Sequence, residues 1–190
     1  WMTDLPSGER LLLWNGQLSA NNYDGPDGPG IVFVTTPEAR VPADSAGSVP
    51  PFHPLPTPSY ETYRRLRLDE PMDSLQRASL WLVADFGAWQ QVGGEIWFGV
   101  SFYLGEGADG VGGYGRFDPA AGRYSMRWGV PSADHSVSAL YHDGESLWLA
   151  LASRRERAFP GHGVARLEPE GGTLRRYDVP GVVTVLCPVG

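Results

Sequence analysis

The side chains most able to do chemistry lie in polar stretches between apolar runs. Asp134 and His135 come directly before an apolar run that begins at residue 136. A histidine titrates near neutrality and binds metals readily, so His135 could serve as a general base or a metal ligand. The alternative is that Asp134 caps a turn and His135 is a polar loop residue. We favour this alternative, because an Asx turn is enough to account for Asp134.

A second candidate is a long polar loop that contains Arg154, Arg155 and His162. The planar guanidinium group of arginine presents paired donors that match a carboxylate or a phosphate, so these side chains could bind an anionic ligand. The alternative is a solvated, charged loop. We favour the solvated loop and keep the three residues as ligand-binding candidates.

Asp24 and Asp27 lie in a polar segment that also holds Asn21 and Asn22. Calcium takes about six to eight oxygen ligands, and these side chains could supply part of such a set. The alternative, which we favour, is a plain turn, because Asn, Asp, Gly and Pro all favour turns. The cofactor is therefore unknown, with a divalent metal such as calcium or magnesium as the candidate, and no metal ligand is assigned.

Motifs that fix a reaction are missing. The chain has no Gly-x-Ser-x-Gly elbow, no phosphate-binding loop ending in Gly-Lys, no Cys-x-x-Cys and no His-Glu-x-x-His. Residues 105–110 fit Gly-x-Gly-x-x-Gly, but a dinucleotide site needs a helix after this motif, and a strand is expected here. An enzyme on this chain, a metal-dependent lyase or hydrolase, would draw on Asp134, His135, His162 and Glu106.

Composition narrows the class of protein. The chain has 190 residues, a net charge of −7, and only arginine among its basic residues. This balance gives no electrostatic footprint for nucleic acid and argues against an anionic membrane as partner. The single cysteine, Cys187, excludes an intramolecular disulfide. No apolar run approaches the roughly 18 residues of a membrane helix, and no signal segment opens the chain. We expect a soluble protein and favour the cytoplasm.

Two stretches of the chain repeat one pattern. Residues 95–128 and 145–179 each contain a tryptophan, an arginine and a proline at matching places, with an offset of 50–51 residues. The matched pairs are Trp97 with Trp148, Arg116 with Arg166, and Pro119 with Pro169. Residues 8–37 carry a partial copy. A fixed period built from short apolar runs and glycine turns predicts a repeat array of small sheets.

The repeat predicts an all-β chain of about three units, each with four antiparallel strands. The apolar runs 79–84, 136–141 and 182–187 are expected to be strands buried on both faces. Asp143-Gly144 is a hairpin signal. We expect the buried strand to close one unit and to lead through the hairpin into the tryptophan-bearing strand of the next. No segment predicts a convincing helix.

Other residues receive a structural interpretation. A proline-rich loop at 38–60 interrupts the single domain formed by 1–190, and it would be ordered only by packing on the domain or on a partner. Trp97, Trp148 and Trp14 are predicted core residues, whereas Trp89 and Trp128 fall outside the register and are expected at the surface. We interpret His142 as a hairpin residue and Cys187 as a buried, inert thiol.

The repeat resembles those of β-propellers. The residues that carry the resemblance are Trp97-Phe-Gly, then Gly115-Arg-Phe-Asp-Pro-Ala-Ala-Gly122, then Asp143-Gly-Glu-Ser-Leu-Trp148. They are most similar to the sensor propellers of two-component regulators and to virginiamycin B lyase-like propellers. The resemblance implies ligand binding on the channel face, near loops that hold Asp24, Asp27, Asp134, His135, Arg154, Arg155 and His162. The histidine and glutamate that carry lyase chemistry in the second family have no residue-by-residue match here.

Three units are fewer than the roughly four to eight blades that close a propeller. We expect a missed blade, a longer chain, or a ring completed by a second chain, as two three-bladed chains would do by cyclic symmetry. The leading hypothesis is a binding or sensing module for a small ligand or a protein partner. The alternatives are the metal-dependent enzyme and a structural oligomerisation module in which 38–60 clasps a second chain.

Overall fold

A computed structural model of the protein describes residues 2–4, 10–14, 30–34, 52–56, 82–104, 110–129, 136–152, 160–168 and 175–188. These residues form strands, turns and extended segments and no helix, so none of them forms a helix able to cross a membrane. The strands are β1 (Met2–Asp4), β2 (Arg10–Trp14), β3 (Gly30–Val34), β4 (Phe52–Pro54), β5 (Leu82–Val92), β6 (Glu95–Leu104), β7 (Gly110–Asp118), β8 (Arg123–Trp128), β9 (Ser136–His142), β10 (Leu147–Ala152), β11 (Gly161–Leu167) and β12 (Arg175–Tyr177).

The strands form three antiparallel sheets of four, and in each sheet the spatial order follows the chain order. We call them sheet 1 (β1–β4), sheet 2 (β5–β8) and sheet 3 (β9–β12). In sheets 2 and 3 the connections between successive strands are short and join antiparallel neighbours, which makes a meander the expected topology there. The predicted all-β chain of four-stranded antiparallel sheets is confirmed for the described residues.

The predicted boundary between units is wrong. The hairpin at 143–146 joins β9 to β10 within sheet 3, where His142 pairs with Leu147. In sheet 2, Gly93 and Gly94 form the turn between β5 and β6 with φ of 57° and 89°, a backbone that favours glycine. Because such short turns hold their two strands side by side, the strand before the hairpin opens sheets 2 and 3 rather than closing the preceding unit.

The predicted buried strands at 79–84 and 182–187 have different outcomes. Residues 82–84 of the first run open β5, which continues to Val92, and residues 79–81 lie outside the described residues. The run at 182–187 is extended but belongs to no sheet, and Val182 and Val185 are exposed. Cys187 is exposed, so its interpretation as a buried thiol is wrong. No described strand covers the outer side of this segment, which is why its apolar residues stay in contact with solvent.

Part of the proline-rich loop at 38–60 is a strand. Phe52–Pro54 forms β4, the edge strand of sheet 1, where a proline is tolerated because its missing N–H faces away from the sheet. Leu55 is buried against sheet 2, and the Tyr124 hydroxyl donates a 2.6 Å hydrogen bond to the His53 carbonyl. This end of the loop therefore packs on the rest of the chain. Residues 38–51 and 57–60 lie outside the described residues.

The two faces of sheet 2 bury different clusters, as alternation along a strand requires. One face packs with Leu55, and Trp89 and Trp128, which were expected at the surface, are half-buried against it. The other face packs against sheet 3 and contains Trp97, which is 4% exposed. The first cluster comprises Leu55, Phe86, Ile96, Phe98, Val100 and Phe117, and the second comprises Trp97, Tyr114, Val137, Leu140, Leu147, Leu149, Leu151, Ala165 and Leu167.

Sheets 2 and 3 meet closely along β9. A methyl group at Gly99 would overlap the Val137 side chain, so only glycine permits this approach. The Gln90 side chain spans the junction at one end, where its Oε1 accepts a 2.6 Å hydrogen bond from the His142 N–H and its Nε2 donates a 3.3 Å bond to the His142 carbonyl. The first strand of sheet 3 is thereby fixed to the face of sheet 2 that carries Trp97.

Candidate functional site

Most of the predicted ligand-binding residues lie outside the described residues. Asp24, Asp27, Asp134, His135, Arg154 and Arg155 are in this group, as is Glu106. Their interpretation stays a prediction. His162 is described: it is exposed on β11, at the end of sheet 3 opposite the 143–146 hairpin.

The described part of the chain offers a different candidate at the hairpin end of sheet 3. Trp148 on β10 and Arg166 on β11 are direct cross-strand partners. The guanidinium carbon of Arg166 lies 5.3 Å from the centre of the Trp148 ring. Arg166 Nε donates a 2.9 Å hydrogen bond to Ser146 Oγ. The stacking and the hydrogen bond together fix the plane of this guanidinium group, which leaves its Nη atoms for other partners.

Asp143 organises the hairpin beside this arginine. Its Oδ1 accepts hydrogen bonds from the N–H groups of Glu145 and Ser146, at 2.9 and 2.6 Å, and its Oδ2 accepts a 2.9 Å bond from Trp148 Nε1. The bond from Trp148, followed by those from Ser146 and Glu145, lowers the pKa of Asp143 to about 2, and the charge of Arg166 adds to the effect. The carboxylate is therefore fully ionised at neutral pH and holds Trp148 under Arg166.

A pocket of about 370 Å³ opens next to this arrangement. Sheet 3 supplies its charged walls from three places: the hairpin, the end of β11 and the start of β12. Arg166 and Arg175, which both line it, are direct cross-strand partners. The guanidinium carbon of Arg175 lies 5.2 Å from the centre of the Tyr177 ring. The described lining is Glu145, Ser146, Arg166, Leu167, Glu168 and Arg175.

Sheet 2 carries the same tryptophan and arginine with a different charge balance. Trp97 and Arg116 are cross-strand partners, and the guanidinium carbon of Arg116 lies 5.6 Å from the Trp97 ring centre. Arg116 Nη1 donates a 3.4 Å hydrogen bond to Glu95 Oε2. Ser146, which precedes Trp148 by two residues as Glu95 precedes Trp97, occupies the equivalent place in sheet 3 and is neutral, and the neighbouring Glu145 forms no ion pair with Arg166 among the described residues. Arg116 forms an ion pair within its own sheet, whereas Arg166 forms none among the described residues, although the charge of Asp143 lies near it.

His142 has the structural role that the sequence suggested. It is buried beside the hairpin, where its Nδ1 accepts a 3.0 Å hydrogen bond from the Gly144 N–H. Its ring centre lies 5.0 Å from that of Trp97. The side chain thus stabilises the turn and closes the junction between sheets 2 and 3, and it takes no part in the pocket.

Sequence reasoning placed the candidate site at the opposite end of the sheet and missed this pocket. The signal that could have found it is the repeat itself, since Trp148 and Arg166 match Trp97 and Arg116. The pairing of Arg166 with Arg175 depends on the register of β12. A shift of one residue would move Arg175 to the other face of the sheet, and the sequence of this short strand does not show which register it takes.

A metal centre is not formed by the described residues, which contain no group of three or more His, Cys, Asp or Glu side chains able to hold an ion. The calcium candidates Asp24 and Asp27 lie outside them. The chain matches no protein-family model, no curated protein and no solved structure. Its function has therefore to be argued from its own geometry.

Proposed function

We propose that the chain is a β-propeller-like module that binds a small ligand or a protein partner, and that a second copy of the chain completes its ring of sheets. One observation carries the proposal: the tryptophan-bearing face of sheet 2 is covered by the first strand of sheet 3, and among the described residues the equivalent face of sheet 3 is covered only by the segment 182–188. The pocket on sheet 3 supports the binding function.

The junction between sheets 2 and 3 shows how far a tryptophan is buried when another sheet covers it. Trp97 is 4% exposed because β9 and its neighbours lie over it. Trp148, at the same place in sheet 3, is half-buried. Besides Arg166 and Tyr177 of its own sheet, the described residues packed around it are small side chains and residues of the segment 182–188. The difference in burial of two matched tryptophans favours a further sheet on this side of sheet 3.

The segment 182–188 takes the place that the first strand of such a sheet would have. Ser138 Oγ on β9 donates a 2.8 Å hydrogen bond to the Val183 carbonyl. Val183 and Leu186 pack against the face of sheet 3 that bears Trp148. On the other side Val182 and Val185 are 41% and 71% exposed. An extended apolar segment with an unpaired edge is a template for pairing with another strand.

The order of the sheets favours a second copy of the chain as the partner that packs beside sheet 3. Sheet 1 stands at the other end of the series, and a ring places it after sheet 3. Two chains of three sheets would together fall within the range of roughly four to eight blades that closes a propeller. Such a dimer has cyclic symmetry and buries both copies of the open edge.

Light scattering on a sizing column tests this assembly. We expect a mass of twice the 20.7 kDa chain. Val185→Asp puts a charge into the buried edge and should give a monomer, whereas Ser125→Asp, at an exposed place on β8, should leave the dimer intact. A wild-type monomer would rule out completion by a second copy. A dimer that tolerates Val185→Asp would place the interface elsewhere.

A further inference from the structure

We infer that the pocket on sheet 3 binds a small zwitterion, a molecule that carries a carboxylate and an ammonium group a few atoms apart, as a free amino acid does. The inference rests on the binding function proposed above and names its ligand class. It uses sheet 3 alone, so it does not depend on how the ring is completed.

The two arginines of the pocket predict the carboxylate. Arg166 and Arg175 face each other directly across β11 and β12. Like charges at such a position destabilise a sheet unless an anion lies between them. Within the described part of the chain neither arginine forms an ion pair, and the only hydrogen bond of the Arg166 side chain uses Nε. A carboxylate that accepts from both guanidinium groups would remove the repulsion.

The arginines are held in place before any ligand arrives. Arg166 lies over Trp148 and Arg175 over Tyr177, and the two aromatic rings lie 5.6 Å apart at 30°. Stacking on a ring limits the rotamers of a long side chain, so less entropy is lost when the ligand binds. This pair of stacked arginines is a prepared anion clamp rather than two freely moving surface charges.

The two glutamates of the pocket predict the ammonium group. Glu145 and Glu168 line the same space and form no ion pair with the arginines among the described residues. A simple anion would enter beside two carboxylates and be repelled by both. A ligand that adds one positive group near its carboxylate meets all four charges with the opposite sign. The volume of about 370 Å³ lies in the usual range of small-molecule sites.

A completed ring would leave this pocket open. Sheet 2 is already covered, yet the side chains of Arg116 and Glu95 remain 35% and 32% exposed. The equivalent residues on sheet 3 would lie at the same rim of the molecule. The ligand would therefore enter from solvent at the edge of the junction, whether the chain is a monomer or a dimer.

The indole N–H of Trp148 is the natural reporter, because it is bonded to Asp143 and its ring lies under Arg166. We would follow its NMR signal, assigned by its absence in Trp148→Phe, while adding L-alanine, acetate or ethylammonium to the full chain. We expect saturable shifts with L-alanine and at least tenfold weaker binding of either fragment. Arg175→Gln should weaken L-alanine about tenfold, the loss of one charged hydrogen-bond partner.

Matched variants decide between the explanations. Arg176→Gln makes the same charge change on the same strand, outside the pocket, and should leave the affinity unchanged. Glu168→Gln should weaken L-alanine and strengthen acetate, a result that damage to the fold cannot produce. Equal binding of acetate and L-alanine, no binding of L-alanine, or equal effects of Arg175→Gln and Arg176→Gln would overturn the inference. The native mass is measured separately, so a failed titration leaves the dimer proposal untouched.

Discussion

Sheets 2 and 3 place the same two side chains in cross-strand register and use them differently. In sheet 2 the Trp97 ring lies 5.0 Å from His142 of the next sheet and is buried. In sheet 3 Trp148 is half-buried, and its N–H bonds to a carboxylate of its own hairpin. The comparison teaches that one local pattern can serve as core or as surface, depending on whether another sheet covers it.

The two arginines also differ in the charges of the side chains around them. Arg116 has Ser125 as its cross-strand partner on β8 and Glu95 as its ion-pair partner. Arg166 has Arg175 as its cross-strand partner and a neutral hydroxyl as its hydrogen-bond acceptor. The charges of sheet 2 are therefore balanced internally, and those of sheet 3 are available for a ligand.

The largest expected effect comes from truncating the two tryptophans. Trp97→Ala removes a fully buried ring and should lower the free energy of unfolding by about 3–5 kcal/mol, the range found for large aromatic truncations in cores. In the Val185→Asp background, where the second copy should not bind, Trp148→Ala should cost about half as much as Trp97→Ala, because the ring keeps part of its solvent contact. Urea unfolding followed by circular dichroism measures both in that background. Equal losses there would mean that Trp148 is already covered within one chain.

The next effect concerns the close approach of the sheets. Gly99→Ala should destabilise the chain by about 1–3 kcal/mol, because the added methyl group overlaps Val137 and forces the sheets apart. Ala150 is the matching residue of sheet 3 and is buried in the cluster where Val183 packs, so a methyl group is accommodated there and not at Gly99. Ser125→Ala, at an exposed position of β8, is the control and should be nearly neutral. A harmless Gly99→Ala would show that the junction is looser than the geometry indicates.

The sequence predicted the matched residues of sheets 2 and 3 better than it predicted what covers each sheet. The offset of 50–51 residues matched Trp97 with Trp148 and Arg116 with Arg166, and the matched residues do hold equivalent cross-strand positions in sheets 2 and 3. It could not show that no described strand lies beside 182–188. An apolar run indicates what would be favourable to bury, not whether a neighbour is present to bury it.

The candidate site was harder to predict for a related reason. Histidine and arginine in loops attract attention because their chemistry is visible in the sequence. The pocket on sheet 3 depends instead on Arg175 facing Arg166, a consequence of strand register. Composition and spacing do not determine that register, since it is set by side-chain packing over both faces.

A smaller effect should come from the amide that joins the sheets. Gln90→Ala removes both hydrogen bonds to the backbone of His142 and should cost about 1 kcal/mol, since this part of the junction is only partly buried. Gln91→Ala, the next residue on the same strand, is the matched control and should be nearly neutral. Chemical denaturation compares them. A larger loss of stability for Gln91→Ala than for Gln90→Ala would mean that Gln90 is not the residue that joins the two sheets.

The smallest expected effect is the pH dependence of stability that the hairpin of sheet 3 contributes. The hydrogen bonds from Trp148, Ser146 and Glu145 lower the pKa of Asp143 from 3.8 to about 2 in the folded chain. A lowered pKa means that the ionised carboxylate stabilises the fold fully above pH 3.8, and that this contribution is lost as the pH falls through about 2. Because Asp143 is exposed, solvent screens the effect and the change in stability should be small. The Trp148 indole N–H signal should follow the same midpoint and lose its titration in Asp143→Asn. A midpoint near 3.8 would mean that the carboxylate does not hold Trp148 under Arg166 in solution, and the prepared arginine of sheet 3 would then lose its support.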